Sequence, residues 1–199
     1  MLLKLLLFLF LASVEFSCFA QAKLDLEKLT FKEDPRILVK NHKKSADPIE
    51  PLTSLPAYTT YDIAGYHFGP ANLTEHCFVS FLLNSIKEKK LVGVIIGFET
   101  DAASKAINKY VFAKYGKPVV LEAETQRKDK NKKPYLSGSA YMWKNVKPQI
   151  TLFLSKTYMV EDGKPVENTD LVLINNSVKP SYETNFRTVL DRVIKTYTP

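Results

Sequence analysis

The sequence is poor in cysteine, with Cys18 and Cys77 the only two in 199 residues. Once the first leaves with the leader described below, a single thiol remains and no intrachain disulfide can form. The chain must then hold itself together by its core. Glycine is scarce too, at seven residues, and none sits in a phosphate-cradling loop, a nucleophile elbow or a dinucleotide fingerprint. No paired-cysteine zinc signature occurs, and no serine has a consistent base nearby. Beyond the leader, no apolar run is long enough to cross a bilayer. These gaps exclude a disulfide scaffold and the familiar nucleotide-binding and serine-hydrolase signatures. No catalytic residue and no cofactor can be assigned from motifs.

What is present begins with MLLKLLLFLFLASVEFSCFAQA. Lys4 supplies a positive start, Leu5 to Val14 an apolar run, and Ala20 and Ala22 small residues at cleavage spacing. That is the layout of a secretory signal peptide over residues 1–22, with cleavage expected after Ala20 or Ala22. Glu15 stands where a bacterial lipobox carries an aliphatic residue, which argues against lipidation of Cys18. The mature chain is expected in the periplasm or outside the cell, soluble or peripheral.

Hydrophobic residues make up 45% and aromatics 12% of the chain, the balance of a globular domain. The net charge is +7, and basic residues gather in KNHKK (40–44), KEKK (87–90) and RKDKNKK (127–133). Such charge attracts acidic partners. Export argues against nucleic acid; solvated loops are the simplest account of these runs, with an anionic lipid surface or polysaccharide of the envelope as the electrostatic alternative. The expected topology puts KEKK and RKDKNKK at opposite ends of the sheet, so they do not form one patch.

Residues 23–57 carry Pro35, Pro48, Pro51 and Pro56 and read as an extended N-terminal segment or linker. Residues 58–199 read as one domain. YTTYDIAGYHF, EHCFVSFLLNS and LVGVIIGFE have the composition of successive strands. Hairpins centred on their loops place His67 opposite His76, and His76 opposite Glu99. The same registers put Cys77, Val79, Phe81 and Leu83 with Val92, Val94, Ile96 and Phe98 on one apolar face. A helix follows: Thr100 or Asp101 caps it, Ala103, Ile107, Tyr110 and Val111 form its stripe, and Gly116 and Pro118 end it. PVVLEAETQ, YLSGSAYMWK, QITLFLSKTYMV and TDLVLIN read as strands. A last helix opens at Pro180–Ser181 with the stripe Tyr182, Phe186, Val189, Leu190, Val193 and Tyr197. The order β-β-β-α-β-β-β-β-α predicts an α+β fold, a mostly antiparallel sheet with helices packed on one face.

KYGKP closing a helix, MW in a later strand and then QITLFL together span about residues 103–154. This pattern resembles that of small secreted bacterial proteins of unassigned function, in which a helix ending in Lys-Tyr-Gly-x-Pro precedes a Trp-bearing strand. The resemblance implies an α+β fold and an extracytoplasmic bacterial setting. It implies no activity and carries over no functional residue.

The sharpest chemical arrangement is the row His67, His76, Glu99. Two imidazoles and a carboxylate on adjacent strands can hold a divalent metal with a position open for water, as a hydrolase requires. Cys77 points to the apolar face, where a thiol behaves as a small hydrophobe. The opposite face carries Tyr61, Ile63, Phe78, Leu82 and Ile95 beside Gly93 and Gly97, and is too apolar to stay wet without a covering. Either residues 23–57 or a partner, a protein or an apolar ligand, should lie on it. The leading reading is an exported, non-enzymatic binding protein; the alternatives are a metal-dependent hydrolase and an envelope protein held by basic loops. Elemental analysis of the purified protein separates the hydrolase: stoichiometric zinc, manganese or iron supports it, and no bound metal removes it.

Overall fold

The computed structural model describes residues 23–44, 49–50, 52–73, 76–128, 134–161, 164–180 and 185–198. The expected leader with Cys18, residues 129–133 of the RKDKNKK tract and Tyr182 lie outside them. In chain order the strands are β1 (Leu24–Asp25), β2 (Ile49–Glu50), β3 (Leu55–Thr60), β4 (Tyr66–Phe68), β5 (Ala71–Asn72), β6 (Cys77–Leu83), β7 (Leu91–Phe98), β8 (Val119–Glu122), β9 (Gln126–Lys128), β10 (Pro134–Leu136), β11 (Ser139–Lys147), β12 (Ile150–Glu161) and β13 (Lys164–Asn175). The helices are α1 (Pro35–Leu38), α2 (Asp101–Tyr115) and α3 (Val189–Tyr197). No helix among the described residues is long and apolar enough to cross a membrane.

Eight strands make one antiparallel sheet in the order β2-β3-β6-β7-β13-β12-β11-β8. The fold is therefore of α+β type with a large antiparallel sheet. The β6–β7 register is the expected one, with Cys77 opposite Phe98 and Val79 opposite Ile96. A shift after Leu82 turns the start of β7, so that Leu91 packs with the first core and Val92 with the second.

All eight residues of β7 are buried. A strand with no wet side must be covered twice, and this is why the helices take opposite faces rather than one. On the first face, Ile107 and Val111 of α2 pack with Phe81, Ile96, Phe98, Leu152 and Leu171. On the second, Val189 and Val193 of α3 pack with Leu55, Leu82, Ile95, Phe153 and Val172. The segment expected to be a linker joins the first core through Leu26, Leu29 and Val39, which are buried like any central residue. Proline spacing concealed that anchoring pattern.

Other departures have local causes. The single strand expected over 58–68 divides into β3 and β4, because Thr60 Oγ1 accepts from the Asp62 amide at 3.0 Å and Gly65 has φ 89°, which turns the chain out of the sheet. β4 then pairs in parallel with β1. The last helix begins at Val189 rather than Pro180. Thr188 Oγ1 accepts from Asp191 N at 3.1 Å and the Asp191 carboxylate accepts from Thr188 N at 3.0 Å, a reciprocal cap.

Helix α2 starts and ends as expected. Thr100 Oγ1 accepts from Ala103 N at 3.3 Å, and Gly116 closes the helix at φ 71°. Trp143 Nε1 on β11 donates to the Gly116 carbonyl at 2.9 Å, and its ring meets Phe112 edge-on at 5.2 Å. The Trp of the later strand thus satisfies the carbonyl at the helix stop, which links the two halves of the KYGKP…MW pattern physically. Trp143→Phe keeps an aromatic ring, though a smaller one, and strands that carbonyl. It should cost about 1–3 kcal/mol and lower the melting temperature by several degrees; an unchanged melt shows that the bond contributes nothing.

Candidate functional site

The structure does not bring the expected metal row together. His76 and Glu99 are neighbours across β6 and β7, with Glu99 N donating to His76 O at 3.0 Å, and both are exposed. His67, however, pairs with Asn72 and Asp25 in the small sheet β1-β4-β5. Its Nε2 lies 3.8 Å from Asp25 Oδ2. No group of three or more histidine, cysteine, aspartate or glutamate side chains placed to hold a metal occurs among the described residues. The hairpin register fails at His67 because the chain leaves the main sheet at Tyr61.

Cys77 is buried in the first core with Val79 and Phe81, as its register requires. The expected binding face is internal. Leu82 and Ile95 lie beneath α3 in the second core, and Phe78 packs against that core from its margin. Ile63 belongs to the first core instead. Tyr61 alone of the set is exposed, at 65%. Gly97 serves this packing, since a Cβ there would sit 2.0 Å from Phe78 Cε1. The C-terminal helix, not an outside partner, accounts for the apolar character of that face.

Sequence reasoning missed a buried polar cluster around Glu27. Tyr110 donates to Glu27 Oε2 at 2.7 Å, Tyr115 donates to Oε1, and Lys114 Nζ sits 2.8 Å from the same oxygen. Burial pushes the carboxyl up, but the hydrogen bonds from Lys114, Tyr115 and Tyr110 outweigh it and hold the group below its ordinary range. Lys147 donates to the backbone carbonyls of Glu27 and, at 2.9 Å, of Leu29. Every acceptor faces a partner, so the cluster reads as a clasp between the N-terminal segment, α2 and β11. Nothing in the spacing of DLEKLTF distinguishes Glu27 from a surface carboxylate.

The basic groups mix with acids. A cleft of 440 Å³ between α1 and the β6–β7 turn is lined by Arg36, Lys89 and Lys90 but also by Glu33, Asp34 and Glu88. Arg36 is held by Asp34 through a 2.6 Å contact.

One feature is left without cover. β8 is the last strand of the sheet and pairs only with β11 among the described residues, Val119 with Met142 and Val120 with Tyr141. Val119 is 50% and Val120 55% exposed. They point to opposite sides, so each face of this edge shows an exposed valine among the described residues, while Leu121 packs against the second core. Tyr141, half-buried, stands beside Val120 and meets Phe112 edge-on at 5.0 Å. The ladder shifts between Val120 and Glu122, a bulge that turns Leu121 and Glu122 to the same side. An edge strand with free backbone groups and exposed valines can receive an extended chain. The sequence signal was available in VVLE, a β-rich run whose neighbours are polar. No family model, curated protein or solved structure matches the chain.

A second carboxyl, half-buried, is pushed the other way from Glu27. Asp170, between Gly97 and Ser155 in the sheet, is pushed up to about 6 by burial first and then by Glu50 and Glu99. Between pH 3.8, its ordinary value, and about 6 the folded chain holds a proton that the unfolded chain releases. The group therefore opposes folding above that window, and the penalty fades as the pH falls through it. Asp170→Asn should stabilise the protein by about 1–3 kcal/mol at pH above 7, with the gain vanishing near pH 4. Thermal melts of both forms across pH check this, and an Asn form no more stable at high pH refutes it.

Proposed function

We propose that the chain is an exported, non-enzymatic interaction protein that binds through the β8 edge. The observation carrying this reading is the pair Val119 and Val120, exposed on the open side of the outermost strand. Native sheets ordinarily blunt such edges with charge, brevity or cover; β8 is short and bounded by Pro118 and a bulge, but its middle carries no charge. Here a strand so rich in valine lies open, and an added strand would satisfy its backbone groups while Val120, Tyr141 and Phe112 supply an apolar anchor. The leader-like residues 1–22 support export. The partner is accordingly a protein segment in extended conformation rather than a small apolar ligand.

Capture from the exported fraction of the native host tests the reading, using the wild type, Val120→Lys and the control Ile86→Lys. Ile86 is equally exposed, at 62%, on the distant β6–β7 turn. Proteins retained by the wild type and the control but lost with Val120→Lys bind at the edge. Equal retention by Val120→Lys overturns the proposal.

A further inference from the structure

Building on that reading, we infer that the strand received at the β8 edge is β8 of a second copy, paired antiparallel about a two-fold axis. The run Lys117-Pro118-Val119-Val120-Leu121-Glu122-Ala123-Glu124 is polarised: a cation opens it, valines occupy the middle and carboxylates close it. Antiparallel self-pairing brings the two valine pairs together and sets Lys117 of each copy beside Glu122 and Glu124 of the other, twice over by symmetry. Parallel pairing would oppose like charges, which is unfavourable across a ladder. Lys117 is exposed and Glu122 half-buried, and these are the charges open to a partner; Glu124 is exposed too, but its Oε2 already accepts from Tyr158 at 2.5 Å. An extended segment chosen at random has no reason to carry this complementary order; the strand itself does.

Tyr141 and Phe112 lie next to Val120 on the first face and recur across the two-fold axis, giving each copy an aromatic anchor. Pro118, which lacks an N–H, and the bulge after Val120 bound the ladder to a short central stretch. The interface is therefore small, in the range of weak reversible association, with a dissociation constant on the order of 10–100 μM. The net charge of +7 on each chain opposes approach at low salt, and a Debye length of about 8 Å at physiological ionic strength removes most of that repulsion.

Sedimentation equilibrium from about 1 μM to about 1 mM at about 0.15 M salt reads the association directly. The expected result is a mass rising from one chain to two, weakened about tenfold or more in Val120→Lys and in Lys117→Glu. A second arm mixes Lys117→Glu with a Glu122→Lys, Glu124→Lys variant. Neither should pair with itself, while the mixture should pair, because the altered charges of one variant then meet opposite charges on the other across the shared edge. Melting curves of the variants confirm that each is folded. A mass of one chain throughout overturns self-pairing, as does a dimer indifferent to Val120→Lys or a mixture that stays monomeric. Should the chain be monomeric while capture still depends on Val120, self-pairing fails and the edge reading survives; should capture also ignore Val120, both fail.

Discussion

The central strands of this protein have no polar side, and the architecture follows from that constraint. Every residue of β7 is buried, and Leu171 and Val172 of β13 and Leu152 and Phe153 of β12 beyond it are enclosed alternately on one face and the other. Burying a large apolar side chain contributes about 1.5–3 kcal/mol relative to leaving it wet. A sheet with only one cover would forgo that along an entire face. Two covers are required, and the chain supplies them from separate segments: residues 23–44 with α2 on one side, α3 on the other.

The first cover raises a polar difficulty, since Glu27 enters with it. An unpaired buried carboxylate would be strongly destabilising. Tyr110, Tyr115 and Lys114, all on the last turns of α2, receive it, and Lys147 takes the carbonyls that the neighbouring turn leaves unsatisfied. Packing and hydrogen bonding thus specify the same placement for a segment with little regular structure of its own. The second cover is simpler, an amphipathic helix with a reciprocal cap.

Much of this was legible where local chemistry decides. The β6–β7 register, the limits of α2 and the antiparallel sheet could all be read from alternation, capping residues and a helix-stopping glycine. Reading failed where a distant contact decides. Glu27 becomes internal only because Tyr110 and Tyr115 reach it from α2, and His67 leaves His76 because β1 draws β4 into another sheet. The uninterrupted apolarity of LVGVIIGF did announce burial on both sides, but it could not say which segment lay on which side. Of the candidate site, the exposed valines of β8 were visible as a strand; that the strand is outermost depends on the whole sheet order.

The Glu27 clasp has a bearing on how the molecule comes to be folded. Its partners lie far along the chain, 83 residues away at Tyr110 and 120 at Lys147. The opposite cover is the C-terminal helix. Residues 23–44 therefore wait for the sheet they will seal, and the second face of the sheet waits for α3. Long-range closure of this kind slows folding and leaves the apolar strands unprotected until both covers have docked.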